Sequence, residues 1–401
     1  MTATSDPGGP VDPVGPRTEN ERLQDGVNRC PRCGSTDIRP QPGTDALMCL
    51  FCRFAWSEAR VEERFGLGAG IGDLQGVQLA SGARDIDPAA SGLMTLKCSG
   101  CGAEVVVNTA TELSARCHWC RHVLTINEQI PNGAVPDAVL PFHLTRDEAV
   151  TRIRRFAGSR RMFAHTRFKA EFTPENVVGV YLPYMVVDAN VSADAVGVGE
   201  VETRRYTRGS GDDRKTYYDA DVYRVRRHVD FTTDDLTVEA SAARADMRSP
   251  GNTNNIVNSI LPFDTKNAVS WNADYLDGYT SERRDRDVEL LLPHVQDELL
   301  SIARSQIRPT LDRYDRGVRW EQEGLDLHGS RWVSMYLPVW LYSYYHVEGG
   351  TGVVHYIAVN ARTGETMGSV PLAKGKLLLA SLLAGTVVEI VTLVVMVVGS
   401  R

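Results

Sequence analysis

All eight cysteines of the chain fall into CxxC pairs: Cys30/Cys33 with Cys49/Cys52, then Cys98/Cys101 with Cys117/Cys120. Fifteen residues separate the two pairs of each set, and the second set repeats the first 68 positions later. Paired cysteines can be a disulfide framework, a redox dithiol or a metal site. Disulfide frameworks belong to secreted chains, and the N-terminus (MTATSDPGGPVDPVGP) lacks the basic and apolar regions of a signal peptide. A redox CxxC normally follows a strand in a βαβ unit and does not come in matched pairs. The spacing therefore predicts two zinc ribbons, each holding one structural zinc ion on four thiolates. Such a shell is closed, with no position left for water or substrate, and its thiols must stay reduced.

The residue after the second cysteine of a zinc knuckle often takes a left-handed backbone, which glycine tolerates best. Gly34 and Gly102 stand there in the first knuckles, and Arg53 and Arg121 in the second, where a looser or mildly strained turn is expected. His118 and His122 border the last pair and read as surface residues beside a complete thiolate set. No HExxH, GxSxG or P-loop pattern occurs, so no catalytic or cofactor-binding residue is assigned and no enzyme is expected. Asp212/Asp213, Asp234/Asp235 and Glu282–Asp287 read as solvated loops or helix ends, and Tyr217, Tyr218 and Tyr223 as a packing face.

The elements that must carry these groups follow from pattern. Residues 1–27 are rich in Pro, Gly and acids and are expected to be disordered. The first ribbon covers 28–58 and the second 96–127. Between them, at 59–95, lies a Gly-rich stretch with no G-x-G-x-x-G register, read as a flexible linker. A body follows over 135–372. Thr145 with Asp147 and Glu148 marks a capped helix start, and Val150, Ile153 and Phe156 give it an apolar stripe. Val177–Val187 and Thr216–Phe231 read as strands, the stretch from Asp285 as a helix that Pro293 kinks or splits, and Trp332–Val370 as a meander. VYLPYMVVDA at Val180–Ala189 is echoed by MYLPVWLYSY at Met335–Tyr344, 155 positions later. Duplication of a helix-plus-β unit is one reading of this echo, and chance likeness of two aromatic strands the other.

At the far end Leu377–Gly399 is almost entirely apolar. As a helix it would be about 35 Å long, enough to cross a hydrocarbon core of roughly 30 Å. Lys374 and Lys376 precede it, which predicts a single-pass tail anchor in the plasma membrane with the bulk of the chain cytoplasmic. Glu389, near its middle, would then either meet a polar group on another membrane helix or be held protonated. The expected fold class is thus α+β: two small tandem zinc ribbons, a mixed α+β body and one C-terminal transmembrane helix.

The 401 residues carry a formal charge of −7, and 42% are apolar, enough for a sizeable core. The ribbon region from Asn28 to Thr125 has ten Arg/Lys against ten Asp/Glu. It lacks the basic stripe that phosphate contacts require, which argues against nucleic acid as the partner.

In order along the chain, CPRCG at Cys30–Gly34, PFHLTRDEA at Pro141–Ala149, VYLPYM at Val180–Met185 and VNARTGETMGSVP at Val359–Pro371 resemble the motifs of a bacterial family of membrane-anchored zinc-ribbon proteins. Such proteins are often labelled after the transcription-factor-B-type ribbon or a primosomal helicase. This chain has no helicase P-loop. The resemblance implies protein partners of the SPFH/prohibitin-like (virion-core-like) or phage-shock type, and a role in membrane scaffolding or envelope stress. The expected function is a zinc-ribbon adaptor that docks proteins at the cytoplasmic face of the membrane. The alternative is a zinc-ribbon nucleic-acid-binding protein of transcription or replication.

Overall fold

The computed structural model of the chain describes residues 28–65, 70–84, 93–97, 104–108, 114–116, 123–125, 135–160, 164–165, 168, 173, 176–209, 214–240, 260–281, 284, 286–348 and 351–399. The four-cysteine segment contributes β1 (Ile38–Pro40), β2 (Leu47–Cys49) and β3 (Ala55–Trp56), followed by α1 (Val61–Phe65) and β4 (Gly76–Leu79). Two separate hairpins come next: β5 (Leu93–Lys97) with β6 (Glu104–Asn108), and β7 (Ser114–Arg116) with β8 (Val123–Thr125). The body comprises β9 (Ala138–Val139), α2 (Arg146–Ser159), β10 (Val177–Arg208), β11 (Lys215–Glu239), β12 (Val269–Ser270), β13 (Thr280–Ser281) and α3 (Val288–Ile307). It closes with β14 (Val318–Glu348), β15 (Thr351–Asn360), β16 (Thr366–Gly368) and α4 (Lys374–Gly399).

The protein is predominantly β, which corrects the expected α+β class. One sheet of nine strands dominates, with an antiparallel path β11-β10-β14-β15-β16. Its central strands are very long: β10 has 32 residues and β14 has 31, where 3–10 is usual. The first of these runs well past Val187, where the strand expected from sequence stops. The ladder to β14 continues through Asp188 and Asn190, since each faces a strand partner on that side.

Leu182 lies directly opposite Leu337, so the two Tyr-Leu-Pro segments run antiparallel to one another. β13 runs parallel beside Val180–Tyr181, and β9 runs parallel beside Met335–Tyr336, positions 155 apart. β11 begins its pairing at Tyr184 and β15 at Val339, again 155 apart. The units β9-α2-β10-β11 and β13-α3-β14-β15 are therefore related by an approximate two-fold axis between the two leucines.

Pro183 and Pro338 mark where the outer neighbour changes, from β13 to β11 and from β9 to β15 respectively. Their carbonyls accept from Ala240 and Ala361, so each missing N–H points at the gap between two outer strands. A proline in mid-sheet costs no ladder bond there.

Alternation along β10 and β14 divides the core in two. Tyr181, Met185 and Val187 share a face with Trp332, Tyr336 and Trp340, and both α2 and α3 cover that face. Val150, Ile153 and Phe156 of α2 are buried as the stripe predicts, and Thr145 forms a reciprocal cap with Glu148. Pro293 lies inside α3 without ending it. Leu182, Tyr184, Met335 and Leu337 face the other way, toward Leu140, Ile260 and Phe263.

Part of the stretch read as a flexible linker lies along this body. Val61, Leu74 and Ala83 are buried, and β4 pairs with Gly329–Trp332 of β14. A side chain at Gly329 would collide with the Leu74 carbonyl, so glycine is what lets the two backbones approach.

The tail anchor and the plasma-membrane placement are also corrected. The chain end is helical, but among the described residues no helix is long and apolar enough to cross a membrane. The side chains of α4 that the structure describes include Lys376, Ser381, Thr386, Glu389 and Thr392, each exposed. The charged groups among them, Lys376 and Glu389, lose their hydration in hydrocarbon, whereas the Thr386 and Thr392 hydroxyls donate to the Leu383 and Val388 carbonyls.

Candidate metal centre

Cys30, Cys33, Cys49 and Cys52 converge so that their sulfurs all lie within 4.8 Å of one another. Cys30 Sγ is 3.6 Å from Cys52 Sγ, and Cys33 Sγ is 3.6 Å from Cys49 Sγ. These spacings are far too long for disulfides, and all four are free thiols. Four sulfurs about 2.3 Å from a tetrahedral metal stand about 3.8 Å apart, so the cluster can accept one metal ion.

The backbone explains why the thiols converge. Gly34 N–H donates to the Cys30 carbonyl at 2.8 Å, and Arg53 N–H donates to the Cys49 carbonyl at 2.9 Å. Both knuckles thus close by the same turn. Gly34 has φ +75° and Arg53 has φ +60°. Of the looser or mildly strained turn expected at Arg53, the strained one occurs: an arginine adopts the same left-handed geometry as the glycine, at a cost of about 1–2 kcal/mol.

The thiols also polarise one another. The Cys33 thiol is pushed up to about 12: the Ser35 backbone donor opposes this, but burial and the three neighbouring thiols outweigh it. For Cys49, burial raises the pKa, yet the Cys52 and Phe51 backbone donors and the Cys33 thiol draw it down to about 7. Such a set takes its first proton off readily and its last reluctantly, as expected of thiols crowded together without a cation.

The cluster is not a free module. Ile38 and Leu47 are buried in one core with Trp271, Tyr275 and Tyr336 of the body, and Trp56 packs against it. Tyr275 donates its hydroxyl to the Asp45 carbonyl at 2.9 Å, and Asn272 donates to Glu58 Oε1 at 2.9 Å. Arg362 reaches Asp45 and Asp264 together. The cysteine cluster, its three short strands and the body are one structural unit here.

Cys98, Cys101, Cys117 and Cys120 lie outside the described residues, as do His118 and His122. The described strands bracket them: β5 and β6 pair up to Lys97 and Glu104, and β7 and β8 up to Arg116 and Val123. Among the described residues there is one four-cysteine cluster.

A second cluster escaped the sequence reading. Asp234 and Asp235 are not on a solvated loop but on β11, beside buried Asp188 of β10. Two successive acids inside an otherwise alternating strand were the available signal, since they mark an extra residue in the ladder.

No family model matches the chain, and no solved structure matches it. It is similar to the uncharacterized protein YdjG of Bacillus subtilis (strain 168), with 23% identity over 249 residues, which is 62% of this chain and 67% of YdjG.

Proposed function

We propose that this chain is a non-enzymatic zinc-ribbon adaptor that binds two structural zinc ions and docks protein partners. The observation that carries the reading is Phe51, which sits between Cys49 and Cys52 and is 80% exposed. Aromatic residues, phenylalanine included, are enriched in the cores of protein interfaces. Zinc would fix the knuckle, and the shared core with the sheet removes the freedom that docking would otherwise have to restrict. The family resemblance supplies the class of partner, an SPFH/prohibitin-like or phage-shock-type protein. Calorimetry of the purified full chain with such a protein tests this. Phe51→Ala should weaken binding at least tenfold, and equal affinity of the variant, or no binding by the parent, removes the proposal.

The nucleic-acid reading gains one observation. Beyond the end of β14, β10 and β11 continue as a two-stranded arm on which Tyr206 stacks on Tyr217 at 6.0 Å, with Arg204 and Arg208 over the Tyr206 ring. Cations interleaved with stacked aromatics suit a single strand. A gel shift that weakens steeply with salt, and that Tyr217→Ala abolishes, would favour it over the adaptor.

A further inference from the structure

We propose that Asp188, Asp234 and Asp235 form a site for a hard divalent cation such as calcium. Asp188 sits on β10, and the ladder to β11 shifts register there: Val187 faces Leu236 and Ala189 faces Thr233. Two residues of β11, Asp234 and Asp235, thus stand opposite one. Bulges of this kind re-aim side chains, and this one gathers three carboxylates with one oxygen of each within 4.8 Å of the others.

Asp188 is the observation that separates this group from an ordinary acidic surface. Its side chain is 1% exposed. Oδ1 accepts from the Asp235 N–H at 3.1 Å, whereas Oδ2 is buried with no hydrogen bond from any described residue. The Arg331 guanidinium forms an ion pair with Oδ2 at 3.7 Å, beyond hydrogen-bond reach. A fully buried carboxylate oxygen that accepts no hydrogen bond is costly, and a metal cation would coordinate it directly.

The surroundings agree. Asp235 has φ +57°, and the Thr265 hydroxyl donates to its Oδ2 at 2.6 Å, which fixes the carboxylate's orientation. A cavity of about 260 Å³ adjoins Asp234 and Asp235 under Pro262–Lys266, room for the waters that complete a calcium shell. Three carboxylates against Arg331 leave two negative charges, which one divalent ion balances. Burial first, and then the Asp235 and Asp234 carboxylates, push Asp188 up to about 6, against the Asp235 N–H and Arg331. Asp235 is raised as well, by burial first; Glu62 adds to this and Lys266 opposes it.

The test is calorimetric titration of the full chain with calcium chloride, zinc content being measured before and after. Saturable binding of one calcium is expected. Asp188→Asn and Asp234→Asn should each weaken calcium at least tenfold. Asp234 is exposed, so its variant keeps the test decisive should the buried substitution compromise folding. Absence of saturable binding, or unchanged affinity in Asp234→Asn, overturns the site, and displacement of zinc by calcium would relocate the binding to the cysteines and overturn it equally.

Discussion

Leu182 and Leu337 face each other across the central strand pair, and both are fully buried. They stand at the meeting point of two like units, so each fills the position that the other fills for the second unit. Truncating either to alanine should cost about 2–5 kcal/mol, and by symmetry the two costs should be similar. Because the side chains share one site, the double variant should cost measurably less than the sum. Urea denaturation of the single and double variants checks this; additive costs would show that the two sites relax independently.

Metal stoichiometry is the next test. Two zincs per chain are expected from elemental analysis. Cys49→Ser should leave one, and so should Cys98→Ser. The two variants should differ in a second respect. Losing the first zinc releases Ile38 and Leu47 from the core they share with Trp271 and Tyr275, so the melting temperature of the body should fall in Cys49→Ser. A parent chain with one zinc would refute the second site while leaving the first intact.

The four-cysteine cluster at 30–52 was legible because ligand spacing is a local property, set by two short turns. The capped start of α2 and the meander near the chain end were legible for the same reason. The length of β10 was not, because Asp188 and Asn190 look like a strand end until the partner strands are known. Nor was the acidic cluster, since Asp188 and Asp235, 47 positions apart, meet only through a register shift between β10 and β11. The docking of Gly76–Leu79 on β14 was hidden too: a Gly-rich composition signals freedom, but Gly329 on the partner strand turns that stretch into a close-packed edge. The apolar chain end gave a helix, as its composition demands, but not the membrane span inferred from it.

Arg53 offers a substitution that should stabilise. Its φ of +60° repeats the geometry that Gly34 adopts at +75° in the other knuckle. Glycine carries no penalty for that conformation, though it gains freedom in the unfolded chain. Arg53→Gly should therefore raise stability by about 1 kcal/mol, read as a higher denaturation midpoint with zinc bound. Arg53→Val, β-branched, should lower it. Equal midpoints for the glycine and valine variants would mean that the turn is not strained.

Asp274 supplies a pH dependence at the seam between ribbon and body. It is almost wholly buried beside Asn272 and Tyr275, and burial pushes its carboxyl up to about 7, with the Asn28 side chain opposing and Glu58 and Asp277 adding to the rise. A carboxyl raised in the folded state favours folding fully only below its unfolded value near 3.9. Between that value and about 7 the unfolded chain loses this proton first, so stability falls as pH rises and then levels off. The size of the effect is bounded at about 4 kcal/mol by the conversion of pKa into free energy. Asp274→Asn keeps the shape and removes the charge. Its stability relative to the parent should therefore grow between pH 5 and pH 8, whereas a constant difference across that range in urea titrations would show that Asp274 is not the group responsible.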